Sequence, residues 1–288
     1  MKLITYHRQG QQGFGAVTAD GIVELADKMN LRHQGVRGLL SEGRLAEAEA
    51  LARDNEATLT LEDVTLALPV PDPIKIFCIG VNYMNRNDEY RDNSAAPTNP
   101  SVFMRNPMSF VAQGEALEIP PESEQLDYEG EIVLVIGKQG RRIPQADALS
   151  HIAGLTIMNE GSVRDWLRHS KFNVTQGKNF DRSGAIGPWI ETDLSAIDLT
   201  DIKIQTTVNG ELRQQDTTAS MAFPIARLIE YLSTFATLLP GDLIATGTPT
   251  GAGARFDPPK WLREGDVVEV TVGGVGSLSN PVRKESMA

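Results

Sequence analysis

Two glutamates lead straight into a strongly apolar run, and this pattern restricts the possible folds most. Glu129 and Glu131 flank Gly130, and residues 132–136 then read Ile-Val-Leu-Val-Ile. Such an apolar, β-branched run predicts a buried β-strand. Because residues i and i+2 of a strand point to one face, the two carboxylates are expected side by side. Two close anions at the edge of an apolar core repel, and a cation between them would remove that cost. The alternative is a solvated strand end.

A third carboxylate follows a second apolar segment. Residues 152–158 predict another buried strand, and Asn159-Glu160-Gly161 comes at its end. A glutamate in that place can line a cleft, although it could equally be an acidic residue at the start of a helix. Carboxylate oxygens without His or Cys favour Mg²⁺, Mn²⁺ or Ca²⁺ over zinc. We therefore expect one divalent cation on Glu129, Glu131 and Glu160.

The remaining periodicity predicts a mainly β protein with some α-helix. Apolar segments bounded by Gly, Pro or Asn are interpreted as strands at 75–81, 101–105, 130–136, 152–158, 202–208, 243–246 and 267–272. Asp20-Gly21 between two apolar pairs predicts an early hairpin. Helices are expected over 36–54, over 162–169 and, most clearly, over 224–236.

A proline-rich stretch divides the chain. Residues 69–73 read Pro-Val-Pro-Asp-Pro, which favours a stiff, extended linker. We therefore place a domain boundary there. It separates a small N-terminal α+β domain of residues 1–70 from a catalytic domain of residues 71–288.

Composition disfavours several classes of function. The net charge is −11, from 27 basic and 38 acidic residues, so a nucleic acid partner is not expected. The one cysteine, Cys78, excludes an internal disulfide and is interpreted as a buried apolar residue on a strand. No segment approaches the roughly 18 apolar residues of a membrane span. The N-terminus lacks the apolar stretch of a signal peptide, so we expect a cytoplasmic protein without a membrane partner.

Two further segments could contribute to a substrate site. Lys178 follows a polar, glycine-containing loop and could polarise a substrate oxygen or steady an enolate, or it could be a surface lysine. The Gly- and Thr-rich stretch at 246–253 follows a predicted buried strand. Its backbone N–H groups and hydroxyls could hold a carboxylate, or it could be a plain turn. It is not a phosphate-binding loop, because no Gly-Lys-Ser/Thr follows.

Taken in order, these segments resemble the fumarylacetoacetate hydrolase family, including its acylpyruvate hydrolases and 2-hydroxyhepta-2,4-diene-1,7-dioate isomerases. Each block is weak alone, but their order makes the match specific over roughly residues 75–283. The blocks are Gly80-Val81-Asn82-Tyr83 with Glu89, Asp127-Tyr128-Glu129-Gly130-Glu131, Asn159-Glu160 with Arg164-Asp165, Lys178-Asn179-Phe180-Asp181, Gly187-Pro188-Trp189, Val208-Asn209-Gly210-Glu211, Pro240-Gly241-Asp242 and Thr246-Gly247-Thr248-Pro249.

The resemblance implies a mixed β-sandwich or β-roll catalytic domain, a homodimer, and one Mg²⁺ or Mn²⁺ per subunit. It makes Glu129 and Glu131 metal ligands, with Glu160 where the family usually has aspartate. Lys178 matches the substrate-polarising lysine, and Thr248 matches the loop that binds the substrate carboxylate. Further substrate-binding residues are expected at Tyr83, at Arg105 and in the polar loop at Thr175 and Gln176.

One departure from the family pattern concerns the catalytic base. Hydrolytic members often carry a histidine where this chain has Arg86, while Glu89, three residues further on, is kept. Arginine stays protonated and cannot act as a base. Glu89 would then act alone, with Arg86 holding an anionic substrate group. His169 lies in a segment that could cover the site, either as a catalytic or as a solvated residue.

We therefore expect a metal-dependent hydrolase that cleaves the C–C bond of an acylpyruvate, such as maleylpyruvate or fumarylpyruvate, in aromatic catabolism. The expected catalytic residues are Glu89, Lys178, Arg86 and His169. One alternative is an isomerase or decarboxylase of a 2-oxo diacid from aromatic ring cleavage, as in a homoprotocatechuate-type pathway. Another is a non-catalytic metal-binding relative. Basic residues at 164, 168 and 171 favour a dicarboxylate, unless they form a solvated helix face.

Overall fold

The computed structural model describes residues 1–84, 98–169 and 173–286. The predicted catalytic residues Arg86 and Glu89, and the basic residue Lys171, lie outside the described residues. The strands are β1 Lys2–Arg8, β2 Gln11–Thr18, β3 Gly21–Glu24, β4 Thr65–Leu66, β5 Ile76–Gly80, β6 Ser101–Met104, β7 Phe110–Val111, β8 Leu117–Ile119, β9 Leu126–Asp127, β10 Gly130–Ile136, β11 Ile152–Asn159, β12 Ser162–Val163, β13 Gly184–Glu191, β14 Lys203–Val208, β15 Glu211–Thr217, β16 Leu243–Ala245, β17 Val267–Val272 and β18 Gly276–Lys284.

Helices are fewer than strands. The α-helices are α1 Gly35–Ser41, α2 Leu45–Asp54, α3 Gln145–Ala148, α4 Thr175–Lys178 and α5 Ile225–Phe235. Single 3₁₀ turns occur at Leu61–Asp63, Pro107–Ser109, Leu149–His151, Asp165–Arg168, Thr218–Ser220 and Gly253–Arg255. Among the helices that the structure describes, none is long and apolar enough to cross a membrane.

An 11-stranded sheet forms the centre, in the order β3-β2-β1-β13-β11-β10-β16-β5-β6, with β4 paired to β1 and β7 to β13. All seven residues of β10 are buried. Ile132 and Leu134 belong to one core cluster, and Val133 and Val135 belong to another. Because the sheet is packed on both faces, its central strand reads as an unbroken apolar run.

Different elements pack against the two faces of this sheet. A five-stranded sheet, β15-β14-β17-β18-β8, shares one core with β10 and with α5. Buried residues of α1 and α2, including Leu39 and Ala48, pack into the core on the other face. The predicted mainly β fold with some helix and mixed sheets is confirmed.

Two of the three predicted helices are corrected. The helix expected over 36–54 is two helices, because Gly43 takes a φ of +66° between Gly35–Ser41 and Leu45–Asp54. Left-handed backbone of this kind ends a helix. The segment 162–169 is a short strand followed by a 3₁₀ turn. The helix expected over 224–236 is confirmed as Ile225–Phe235.

The N-terminal residues continue the central sheet. Lys2 and Leu3 of β1 pair with the last residues of β13, and the predicted hairpin joins β2 to β3 with Val17 opposite Ile22. Residues 69–73 form no regular element between β4 and β5. The first 70 residues therefore share a sheet with the rest, and the boundary near residue 70 stays a prediction, as does the homodimer. Cys78 is fully buried on β5, as expected, and burial raises the pKa of its thiol.

Candidate metal centre

The pairing of β10 with β11 brings the three glutamates together. In this antiparallel pair Gly130 lies opposite Asn159. Glu160, one residue beyond β11, therefore comes beside Glu129, and its backbone N–H donates to the Glu129 carbonyl over 2.7 Å. Glu129, Glu131 and Glu160 each offer a carboxylate oxygen within 4.8 Å of the others. All three residues are buried, at 1–2% exposure. The predicted convergence of carboxylates is present, while the role of metal ligand stays a prediction.

A glycine next to Glu160 allows this close approach. A Cβ at Gly161 would lie 1.8 Å from the Ser183 carbonyl oxygen. Only glycine lets two backbone segments come so near. The segment that follows β11 can therefore run against the start of β13 and hold Glu160 at the sheet edge.

Three buried cations surround the carboxylates. The Lys178 ammonium donates to Glu129 Oε2 and, over 3.1 Å, to Glu160 Oε2. Arg164 Nη2 donates to Glu129 Oε1 over 2.6 Å. Arg105 Nη1 lies 3.7 Å from Glu160 Oε1. Charge-assisted contacts of this kind fix the geometry of carboxylates that would otherwise repel each other.

The protonation of these groups follows from burial and mutual charge. Burial raises the pKa of Glu131 well above its ordinary value, and repulsion from Glu160 and Glu129 raises it further. Burial also raises the pKa of Glu160, against the attraction of Lys178. For Lys178, burial lowers the pKa, but Glu129 and Glu160 outweigh it and the net pKa lies above the ordinary value. Lys178 is therefore an ammonium at neutral pH.

The donor set fits a hard divalent cation. Three buried carboxylates supply oxygen ligands, and no Cys or His belongs to the cluster among the described residues. Glu160 Oε1 is buried and accepts no hydrogen bond from the described residues. An unsatisfied buried acceptor is costly, and a cation would satisfy it. Glu129, Glu131 and Glu160 are the residues that would hold the ion.

Asp127 forms a second layer behind Glu129. Its Oδ1 accepts the backbone N–H groups of Tyr128 and Gly253, and its Oδ2 accepts the N–H of Ala254 and Nε of Arg164. Because Arg164 also binds Glu129, Asp127 fixes Glu129 through this arginine. No role of its own was predicted for Asp127 from the sequence. The available signal was its position two residues before Glu129, in alternation with the glutamates.

A cleft of about 620 Å³ opens onto the carboxylates. Glu129, Glu131, Glu160, Arg164, Lys178 and Thr248 form its charged and polar part. Its apolar lining is Ile79, Val81, Val102, Phe103, Met104, Leu167 and Val174, and Gly80, Ser101, Asn173 and Thr175 complete it. A volume of this size is typical of small-molecule sites.

The predicted substrate-binding residues fall into two groups. Thr175 and Thr248 line the cleft, and Thr248 Oγ1 also accepts a hydrogen bond from Gln214 over 2.9 Å. Tyr83, Arg105 and Gln176 are not among the described residues that line it. Tyr83 is buried, and its hydroxyl finds no partner in the described part of the chain.

Arg105 lies behind Glu160 and away from the cleft surface. Its guanidinium is fully buried and donates to the Gly161 carbonyl and to the hydroxyls of Ser109 and Ser183. This places it as a buried counter-charge for Glu160, and substrate contact by Arg105 stays a prediction.

His169 is exposed, and its ring stacks on Trp166 with the ring centroids 3.9 Å apart. His7, His33, His151 and His169 are the histidines of the chain, and all of them fall within the described residues. None of the four lines the cleft.

Comparison with known proteins shows which family the chain is similar to. Residues 75–283 match the family described as Fumarylacetoacetate (FAA) hydrolase C-terminal. The chain is 42% identical over 226 residues to oxaloacetate tautomerase YisK from Bacillus subtilis (strain 168), covering 77% of this chain and 74% of that protein. Two solved structures are similar along their whole length. The 2-hydroxyhepta-2,4-diene-1,7-dioate isomerase from Mycobacterium marinum has a TM-score of 0.76 at 28% identity, with all of both chains covered.

The second structure is maleylpyruvate hydrolase from Sphingobium sp. SYK-6 in complex with manganese (II) ion and pyruvate. It has a TM-score of 0.82 at 25% identity and covers 99% of this chain and 100% of that one. The family match spans well over half of the chain, and the motif order that suggested it lies in the same range. The chain belongs to the fumarylacetoacetate hydrolase family.

Proposed function

We propose that this protein is a divalent-metal-dependent tautomerase that interconverts the enol and keto forms of oxaloacetate. The observation that carries the proposal is the Lys178 ammonium, which bridges Glu129 and Glu160 at the floor of the cleft. Identity of 42% to an oxaloacetate tautomerase over 77% of the chain supports the substrate. Mg²⁺ or Mn²⁺ suits the all-carboxylate ligand set, and the manganese complex of the hydrolase relative supports this choice.

In the enol-to-keto direction the proton on the C2 oxygen leaves to solvent, an enolate forms with its charge on that oxygen, and C3 takes a proton from solvent; the reverse direction returns both protons. A bound divalent cation supplies Lewis-acid polarisation of the 2-oxo acid. Glu129, Glu131 and Glu160 would hold the cation. The Lys178 ammonium lines the cleft beside these carboxylates, so it can donate a hydrogen bond to the C2 oxygen as charge develops.

Other residues of the chain would orient the substrate. Thr248 lines the cleft, and its hydroxyl can donate to a substrate carboxylate. Arg164 is held by Asp127 and Glu129 and also lines the cleft, so it contributes positive charge on the same side. Positive groups fixed before the substrate binds need no reorganisation when charge develops.

Hydrolysis of an acylpyruvate, as predicted from the sequence, is the second candidate. The likeness to maleylpyruvate hydrolase, at a TM-score of 0.82, favours it. Hydrolysis needs a base that activates water. None of the four histidines lines the cleft, and Glu89, the base predicted from the sequence, lies outside the described residues. Tautomerisation does not need an activated water.

The two candidates give different products. The Mn²⁺-supplied protein is added to freshly dissolved enol-oxaloacetate, and the loss of enol absorbance is followed together with pyruvate release. Deuterium uptake at C3 in D₂O is read by NMR. A tautomerase accelerates enol loss and deuterium uptake without releasing pyruvate. Stoichiometric pyruvate from oxaloacetate would identify a decarboxylase and overturn the proposal.

Three variants and a second substrate complete the test. Lys178→Met should lower kcat on oxaloacetate by about 10²–10³-fold, the usual loss for one donor to a developing oxyanion. Lys203→Met, at an exposed lysine outside the cleft, is the matched control. With maleylpyruvate, pyruvate release that Glu89→Gln abolishes would establish the hydrolase. An unchanged rate in Lys178→Met would remove the basis of the proposed chemistry.

A further inference from the structure

A buried glutamine connects the strand of the first two glutamates to the loop that carries Thr248. Gln214 lies on β15, in the five-stranded sheet, and is 1% exposed. Its Oε1 accepts the backbone N–H of Gly130 over 3.0 Å. Its Nε2 donates to Thr248 Oγ1 and to the Pro249 carbonyl, each over 2.9 Å. One side chain of the second sheet therefore joins β10 to the loop that follows β16.

The backbone of β10 comes very close to the second sheet at Gly130. A Cβ at this position would lie 2.2 Å from Thr206 Oγ1 on β14. Because glycine has no Cβ, the two sheets can approach each other here and the Gln214 amide can reach the Gly130 backbone. Glu129 and Glu131 flank Gly130. Gln214 therefore binds the backbone midway between two of the three clustered carboxylates.

These hydrogen bonds fix the orientation of the Gln214 amide. A backbone N–H can only donate and a backbone carbonyl can only accept, so Oε1 faces Gly130 and Nε2 faces Pro249. The amide nitrogen only donates. In its contact with Thr248, the hydroxyl oxygen is therefore the acceptor, and the hydroxyl hydrogen must point away from Gln214.

The Thr248 loop is also attached to a second clustered glutamate. The backbone N–H of Gly247 donates to Glu131 Oε2 over 2.8 Å. Thr248 is the next residue and lines the cleft, whereas Gln214 is not among the described residues that line it. The main chain of the loop is thus held by Glu131, and the Thr248 hydroxyl is held by Gln214.

We propose that Gln214 is a positioning residue that holds the Thr248 hydroxyl as a hydrogen-bond donor to the carboxylate next to the 2-oxo group of the substrate. A threonine hydroxyl rotates to suit its neighbours, and one that accepts from a fixed amide keeps its hydrogen for another acceptor. Donors that are oriented before binding need no reordering when the ligand arrives. The inference rests on the proposed function for the binding of a 2-oxo acid in this cleft.

A double-mutant cycle tests whether Gln214 acts through the Thr248 hydroxyl. The Mn²⁺-saturated protein is titrated calorimetrically with pyruvate, whose binding does not depend on turnover. Gln214→Met and Thr248→Val should each raise the pyruvate Kd about 10–100-fold, the range for a hydrogen bond to a charged group. The double variant should bind pyruvate no more weakly than Thr248→Val alone. An unchanged Kd in Gln214→Met, or effects that multiply in the double variant, would overturn the inference.

A control variant and the kinetics separate positioning from a general loss of stability. Gln215→Met is the matched control, because Gln215 is the next residue of β15 and is exposed. It should leave the pyruvate Kd unchanged. With oxaloacetate, Gln214→Met should raise KM and leave kcat within about twofold, since a carboxylate is bound equally in the ground state and the transition state. A lower kcat with an unchanged KM would indicate a smaller folded fraction only and would refute the positioning role.

A measurement on the unchanged protein covers the case in which Gln214→Met does not fold. With Mg²⁺ as the diamagnetic ion, saturating pyruvate should shift the NMR signals of the Gln214 Nε2–H group. The reason is that a hydroxyl that donates to a carboxylate becomes a stronger acceptor for the amide behind it. The side-chain signals of Gln215 are the internal control. Unshifted Gln214 signals at saturation would contradict the proposed hydrogen-bond chain.

The outcomes separate this inference from the proposed function. Coupled losses of pyruvate affinity without any acceleration of enol loss would retain the role of Gln214 and reject the tautomerase. Acceleration of enol loss together with an unchanged pyruvate Kd in Gln214→Met would do the reverse.

Discussion

Replacing Asp127 with asparagine tests whether the layer behind the glutamates sets the metal affinity. The carboxylate accepts four hydrogen bonds, two on each oxygen, from Tyr128, Gly253, Ala254 and Arg164. An asparagine must turn its NH₂ group toward one pair of these donors. If that pair includes Arg164, a donor faces the guanidinium. If it does not, Arg164 still loses one of its two anionic partners.

The expected cost follows from the burial of this pair. Asp127 has a fully buried side chain and that of Arg164 is 10% exposed, so solvent cannot replace the lost charge. Removing one partner of a buried ion pair typically destabilises a protein by about 3–5 kcal/mol. Because Arg164 also holds Glu129 Oε1, Mn²⁺ affinity should fall by about 10–100-fold, as it does when the partner of a metal ligand is removed.

Urea denaturation of the metal-free protein gives the stability change, and calorimetric titration with Mn²⁺ gives the affinity. The matched control is Asp165→Asn. Asp165 binds the Ser123 hydroxyl and the Trp166 backbone N–H and makes no contact with the glutamates. The Asp165→Asn protein should be less stable to urea but should bind Mn²⁺ with unchanged affinity. If Asp127→Asn binds Mn²⁺ as tightly as the unchanged protein, Asp127 does not position Glu129.

Three further perturbations test the carboxylate cluster and the close backbone contact at Gly161. Glu131→Gln should abolish Mn²⁺ binding in the same titration while leaving the circular dichroism spectrum unchanged. Because burial raises the pKa of Glu131 and Glu160, the folded metal-free protein binds more protons than the unfolded chain above the ordinary glutamate value of 4.5. Unfolding free energy should therefore fall as pH rises through that window, so the urea midpoint with chelator should be lower at pH 8 than at pH 5.5, and Mn²⁺ should reduce the difference. Gly161→Ala should cost about 1–3 kcal/mol or more, since its Cβ meets the Ser183 carbonyl oxygen, whereas Gly273→Ala, where a Cβ meets only contacts of 3.7 Å, should be nearly neutral in thermal denaturation.

The glutamate cluster could be predicted because its geometry is local to two strands. The spacing of Glu129 and Glu131 fixes a common face, and Glu160 follows directly on a strand that pairs with theirs. The links of Asp127 to Gly253 and Ala254 join segments 126 and 127 residues apart. Nothing in local spacing specifies such contacts, and only the packing of the 3₁₀ turn at Gly253–Arg255 against β9 produces them.

The central strand β13 shows where strand propensity fails. Gly184–Glu191 contains Gly and Pro, residues that are depleted in strands, and no strand was predicted there from the sequence. It nevertheless lies between β1 and β11 in the sheet. Pairing with β11 is irregular between Leu155 and Ile157, where Pro188 falls. A proline at an irregular point of the ladder removes no required hydrogen bond, so tertiary packing can override propensity.

The charges of the site explain how an acidic protein can bind an anion. The chain carries a net charge of −11. Among residues 1–84, 98–169 and 173–286, Asp127, Glu129, Glu131 and Glu160 face three cations, Arg105, Arg164 and Lys178, which leaves one negative charge uncompensated within this group when all are ionised. That excess repels a 2-oxo acid, and the raised pKa values of Glu131 and Glu160 favour protonation, which reduces it. A divalent cation reverses its sign to one net positive charge, in a buried place where screening by water is weak. A bound cation therefore favours binding of an anionic substrate beside these carboxylates.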